Sequence, residues 1–215
     1  MNRRILVTRP SSDRTTKYIS VWAKKVIDLA NTKGDIVLDL ENQRATQQEL
    51  ESMVKKHNPS LVFFNGHGTN DCVKGQNGQV LVQTGVNEDI LSGRVIYALS
   101  CSSAFGLGPR SIQIGAAAYI GYKEVFFFLY DESSRTRPHL DKTVELFLGP
   151  SNQVVVSLVK GHTAGEAHES SKQAFVRNIR KLLSSEASAT ESAAVKYLFW
   201  DMRAQVCLGQ PSSTI

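Results

Sequence analysis

The sequence predicts an α/β protein: a mostly parallel sheet with helices packed on both faces. Two observations carry this. Short apolar runs such as Leu61–Asn65 and Val95–Ser100 are continuous rather than alternating, as expected of strands buried on both faces. From the first such run onward, strand-like and helix-like stretches alternate, and right-handed crossovers then produce a parallel sheet.

Ile5–Thr8 is a short buried strand closed by Arg9-Pro10-Ser11-Ser12. Ser12 or Asp13 can cap a helix over 15–32, whose face carries Ile19, Trp22, Val26, Ile27 and Ala30, and Lys33-Gly34 ends it. Asp35–Leu40 reads as the second strand. Residues 46–57 place Leu50, Met53 and Val54 at helical spacing before Pro59 stops the helix. The third strand is Leu61–Asn65. Thr69–Gly93, rich in Gly, Asn and Gln around Gln79–Val82, predicts a small hairpin or flap with a short helix near 87–91.

Val95–Ser100 is the next strand, 110–116 is a helix or a loop, and Ala118–Gly121 is a further strand. Val125–Tyr130 is the most apolar run, and its aromatic and branched residues favour a strand. Asp131–His139 is polar and breaker-rich, hence an exposed loop. Helices are expected over 140–147, from 154 to 160 and over 163–183, and a polar loop over 184–192. Tyr197–Trp200 and Ala204–Leu208 should return to the sheet edge, leaving 209–215 as a tail with no packing signal.

Composition narrows the function classes. With 215 residues, 41% hydrophobic and 21% charged, the chain can bury a proper core, and residues 1–215 are expected to form one domain. Cys72, Cys101 and Cys207 are odd in number and give neither a disulfide framework nor a metal-binding spacing, which suits a reducing cytoplasm and implies no cofactor or metal. The first residues hold only a short apolar run before Arg9-Pro10, so neither a signal peptide nor a membrane anchor is expected. The net charge of +5 is scattered without an aromatic platform, so nucleic acid is not the expected partner.

Two chemically capable residues follow strands: His67 after Leu61–Asn65, and Cys101 after Val95–Ser100. In an open parallel sheet, side chains just beyond the carboxyl ends of strands are held by a buried scaffold yet face solvent. Ends of adjacent strands lie roughly 5 Å apart, so an imidazole and a thiol there can converge on one bond. Asn65-Gly66-His67-Gly68 is a turn needing close backbone approach or positive φ. The Gly68 and Cys101 N–H groups are candidate oxyanion donors. His57, His139, His162 and His168 follow no strand beside another candidate, and Cys72 lies on the flap, where geometry is poorly fixed.

His67-Gly68 after Phe63-Phe64-Asn65-Gly66, and Cys101 within Ala98-Leu99-Ser100-Cys101-Ser102-Ser103-Ala104, resemble the histidine-glycine and the strand-borne nucleophile of the caspase-like cysteine peptidases of clan CD. Gly115–Gly121 and the stretch from Phe199-Trp200 to Cys207–Pro211 are similar to later strands of gingipain-, separase- and CHAT-type members. The chain departs from true caspases in lacking their QAC-x-G context and in a His-to-Cys interval of 34 residues against about 50. The resemblance implies a three-layer α/β/α fold with a sheet of about six strands. It further implies a cysteine endopeptidase acting on protein or peptide substrates, with cleavage after Arg or Lys. Asp13, Asp131 and Glu132 fall near strand ends on the dyad's edge and are candidates for an acidic S1 site; Glu124 lies there too. Arg9 and Arg14 would argue instead for an acidic P1 residue. Related enzymes are held as zymogens, so the loop carrying Arg135 and Arg137 is a candidate activation site for an upstream protease, with a regulatory partner as the other route. The alternative is an inactive interaction module of the same fold.

Overall fold

The computed structural model of the protein describes residues 2–184 and 189–215. Six strands form one sheet in the order β2-β1-β3-β6-β7-β8: β1 (Arg4–Arg9), β2 (Ile36–Glu41), β3 (Leu61–Asn65), β6 (Val95–Leu99), β7 (Ala118–Tyr122) and β8 (Gln205–Gly209). The first five run parallel, and β8 closes one edge antiparallel to β7. Strand alternation sorts the core into two layers. Ile5, Val7, Phe63, Tyr97 and Ile120 face α1 (Arg14–Thr32), α4 (Lys142–Val159), α5 (Ala164–Leu182) and α6 (Ala189–Ala204). Leu6, Val62, Phe64, Ile96 and Tyr119 face α2 (Gln47–His57), α3 (Leu107–Gln113) and the hairpin of β4 (Cys72–Lys74) and β5 (Val80–Gln83). The expected α/β/α layering and mostly parallel sheet are therefore present. Among the described residues, no helix is long and apolar enough to cross a membrane.

Local capping explains several boundaries. Asp13 and Thr16 form a reciprocal capping box at the start of α1, and Thr163 with Glu166 does the same for α5. Asn58 ends α2 in the left-handed region, a conformation asparagine tolerates.

Five expectations are corrected. Val125–Tyr130 has no regular secondary structure and joins no ladder: the α6 side chains Trp200 and Asp201 take up its Val125 carbonyl and Phe127 N–H. The two helices expected over 140–147 and 154–160 are one helix, α4, running through Pro150. Proline cannot donate to the Leu146 carbonyl, and Asn178 of α5 supplies that hydrogen bond instead at 2.8 Å. Tyr197–Trp200 is helical, because Ala194, Leu198 and Asp201 recur on one buried face of α6. The loop expected over 184–192 lies partly outside the described residues, and its end at 189–192 belongs to α6. The last residues are also docked: Ala164 N–H bonds the Ser213 carbonyl, Gly165 N–H the Pro211 carbonyl, and Ile215 packs on the core.

Candidate active site

β3 and β6 are neighbours paired from Leu61–Val95 to Asn65–Leu99, so they end level and Gly66 N–H still reaches the Leu99 carbonyl at 3.3 Å. Beyond β3 the chain turns sharply at Gly66 (φ +139°), where a Cβ would lie 2.7 Å from the Lys74 carbonyl oxygen. The hairpin grips the turn that follows: Lys74 N–H bonds the His67 carbonyl at 2.8 Å, and Thr69 N–H bonds the Cys72 carbonyl at 2.9 Å. These two bonds flank an antiparallel bridge between Gly68 and Val73, so the Gly68 N–H itself is left for another acceptor. Positive φ and close backbone approach, the two needs that call for glycine in this turn, are both present at Gly66.

On the β6 side, Cys101 is followed by Ser102 with φ +56°, a conformation that costs a non-glycine residue free energy and persists only where its surroundings impose it. The restraints are visible. Ser102 N–H bonds the Glu124 carbonyl at 3.0 Å, Ala104 N–H bonds the Tyr122 carbonyl at 3.1 Å, and the Ser100 hydroxyl donates to Ser103 at 2.8 Å. A Cβ on Gly68 would stand 2.7 Å from the Cys101 carbonyl oxygen and 2.9 Å from Ser100 Cβ. The histidine turn and the cysteine turn thus pack backbone against backbone, and only glycine permits it.

His67 has a partner that its position in the sequence does not reveal. Its Nε2 lies 2.7 Å from Asp13 Oδ2, while Asp13 Oδ1 accepts the Thr16 N–H at 2.8 Å. Partial burial opposes ionisation of Asp13, but the Thr16 N–H and His67 outweigh it and hold the carboxyl below its ordinary range. A carboxylate only accepts, so Nε2 carries the proton and neutral His67 keeps Nδ1 as its basic nitrogen. Both side chains remain nearly half exposed, and such a pair contributes only about 0–1 kcal/mol to stability.

The Cys101 thiol is half-buried against the segment after β7, with Sγ 4.0 Å from the Phe126 carbonyl. Burial pushes its pKa up, and charge on Asp201 pushes it the same way. Asp201 is the residue the sequence reading missed. It is fully buried on α6, accepts the Phe127 N–H at 3.0 Å, and its other oxygen has no partner among the described residues. Burial lifts its pKa to about 8. The signal available in the sequence was a lone acid on an otherwise apolar helical face, Ala194, Leu198 and Asp201.

The other charged candidates are exposed or engaged. Asp131 accepts the Ser133 N–H, which holds its carboxyl below the ordinary range, and Glu132 pairs with Arg14 at 2.8 Å. Arg14 also donates to the Tyr130 hydroxyl at 2.6 Å. Arg9 is buried and held by Asp39, Glu41 and Ser20, so its guanidinium is engaged within the fold, whereas Arg14 stays partly exposed. Arg135 and Arg137 are both exposed, and the buried Pro138 that follows them is tied through its carbonyl to Trp22 Nε1 at 2.9 Å. Among the described residues, no group of three or more His, Cys, Asp or Glu side chains is placed to hold a metal ion.

No known family model matches the sequence, and no curated protein matches it. Solved structures do. The crystal structure of the Arg-specific cysteine proteinase gingipain R superposes over 99% of this chain with a TM-score of 0.65 at 12% identity. The fold is a caspase-like one. The complex of the Porphyromonas gingivalis RgpB pro- and mature domains matches over the same 99% with a TM-score of 0.63 at 11% identity. This chain spans about half of those chains, 47% and 48%. At such identity the likeness is one of gingipain-like architecture.

Proposed function

We propose that residues 1–215 act as one cysteine endopeptidase domain with Cys101 as nucleophile and His67 as general base. The observation that carries this reading is the His67–Asp13 contact, on a turn whose Gly68 packs against the backbone of Cys101. Asp13 fixes the imidazole tautomer, and Nδ1 takes the Sγ proton as the thiolate attacks the scissile carbonyl carbon. A base is called for because partial burial pushes the pKa of the thiol up and so disfavours the thiolate. The Gly68 and Cys101 N–H groups hold the resulting oxyanion. Collapse expels the amine, which takes the proton back from His67. Water, deprotonated by the same nitrogen, then hydrolyses the thioester.

Cleavage after Arg or Lys is the specificity this reading favours, and the Arg-specificity of gingipain R, a structural neighbour, adds to it. Asp131 and Glu132 remain S1 candidates, Glu132 through its pairing with Arg14 next to Asp13. Asp13 fits the orienting role better, since both its oxygens are already used. Asp201 joins the S1 candidates, because it holds the Phe127 N–H next to the residue whose carbonyl lies near Cys101, and its other oxygen has no partner among the described residues. For activation, Arg135–Thr136 is the better bond, since Arg137 precedes a proline that is buried and held by Trp22. The three free thiols accord with a cytoplasmic location.

One observation favours an inactive interaction module instead: the thiol is half-buried and partly covered by the Phe126 carbonyl, 4.0 Å from Sγ. Fluorogenic peptides varied at P1 separate the two. Cleavage after Arg or Lys that disappears in Cys101→Ala supports the peptidase; no cleavage of any member, by whole or nicked protein, favours the module.

A further inference from the structure

The side of α6 that faces solvent is unusually apolar at its C-terminal half. Phe199 is 49% exposed and Trp200 46%, and beside them on the segment after β7 lie Val125 at 45% and Phe127 at 38%. These side chains are locked together rather than loosely displayed. Trp200 Nε1 donates to the Val125 carbonyl at 2.9 Å, and the Phe127 ring meets the Trp200 ring edge-on at 6.3 Å. Phe199 and Trp200 line a recess of about 270 Å³ that is bordered by Lys123, Lys196, Arg203 and a single acid, Glu124. None of the three cations is ion-paired among the described residues.

The recess is smaller than the roughly 300–1,000 Å³ of small-molecule sites, so it suits one anchoring side chain rather than a metabolite. An apolar anchor ringed by cations selects a segment of opposite charge. A single strand of nucleic acid fits less well, because stacking needs free aromatic faces. Arg203 already lies over the Phe199 ring at 5.9 Å, and Lys196 over Tyr197 at 4.8 Å.

We infer that this recess docks an acidic segment of a partner protein, which inserts one large apolar side chain between Phe199 and Trp200 and sets its carboxylates against Lys123, Lys196 and Arg203. The site is also mechanically joined to Cys101. Trp200 holds the Val125 carbonyl and Asp201 holds the Phe127 N–H, and the residue between them, Phe126, is the one that shields the thiol. A docked segment that shifts Trp200 therefore shifts the shield, which makes the partner an activator if the peptidase reading holds.

The binding test uses the Cys101→Ala protein, so that docking is read without any catalysis. Trp22 is buried and Trp200 exposed, which makes Trp200 the responsive fluorophore. The probe is a fluorescein-labelled peptide of glutamates and serines around one central leucine, read by anisotropy and by Trp200 emission. Expected are saturable binding that weakens with salt, a change in Trp200 emission, and a loss of about tenfold or more in Lys196→Glu/Arg203→Glu. Circular dichroism confirms that this variant is folded, and Arg203→Ala is a milder second variant with a smaller loss. Equal affinity in the variants, no binding, equal binding of the same peptide with lysines for glutamates, or binding confined to an oligothymidylate strand would each overturn the inference.

Discussion

His67 Nε2 and Asp13 Oδ2 are 2.7 Å apart although 54 residues separate them in the chain. The contact exists because β1 and β3 are adjacent and parallel, so the cap of the helix leaving β1 lies beside the turn leaving β3. One carboxylate therefore serves two groups, a helix N-terminus and an imidazole.

Those two jobs separate by mutation. Asn caps a helix about as well as Asp, so Asp13→Asn should change stability by less than about 0.5 kcal/mol while lowering kcat/KM by about a hundredfold or more. Asp13→Ala should lose the same activity and about 1 kcal/mol besides. Urea unfolding alongside peptide kinetics checks both. An Asp13→Asn enzyme of full activity would show that the contact does not orient the base.

Gly68→Ala places a methyl group against the backbone carbonyl of Cys101 and the short side chain of Ser100, neither of which is a flexible end that can yield. The expected cost is about 1–3 kcal/mol of stability together with loss of turnover. Gly78→Ala, with open space around its Cβ position but a positive φ, is the control for backbone strain alone and should keep activity. Thermal melts and kinetics on both proteins decide it.

Asp201 makes stability depend on pH in an unusual direction. Its pKa is raised to about 8 in the folded protein from the ordinary carboxylate value near 4, so between those values the folded state holds a proton that the unfolded state has released. Its contribution is fully present below about pH 4 and is lost as pH rises through about 8, with a slope approaching 1.4 kcal/mol per pH unit in the middle of that window. Asp201→Asn keeps an oxygen for the Phe127 N–H and should flatten the profile, with its largest stabilisation at pH 8. Denaturant unfolding of both proteins at pH 5 and pH 8 measures this.

Much of the fold was legible because it rests on local signals. The runs Leu61–Asn65 and Val95–Leu99 are continuous and apolar where both faces are buried, and Gly66 and Gly68 mark the turn where backbones crowd. What could not be read depended on distant partners. Val125–Tyr130 has the residues of a strand, yet its backbone is taken up by Trp200 and Asp201, some 75 residues away. Pro150 looks like a helix end until Asn178 supplies the missing hydrogen bond from α5. His67 and Cys101 stand out in the sequence because each follows a strand; Asp13 reads there as a helix cap or an S1 acid, and its pairing with His67 depends on the sheet order.

The shield over Cys101 gives a prediction for activation. The segment from Val125 to Pro138 is tied down at Trp200, Asp201, Arg14 and Trp22. Cutting at Arg135–Thr136 frees the Arg14 end from the Trp22 end. The Cys101 alkylation rate with iodoacetamide at pH 7 should then rise about tenfold or more as the thiol is uncovered. N-terminal sequencing that finds Thr136 as the new terminus, with unchanged reactivity, would show that this cut is not the switch.

The most direct test of the peptidase assignment is covalent. Whole protein and protein nicked at Arg135–Thr136 are incubated with an arginyl peptide chloromethylketone and mapped by mass spectrometry. The account predicts a single adduct on Cys101, faster in the nicked form and absent in His67→Ala; no adduct in either form, or one on Cys72 or Cys207, would contradict it.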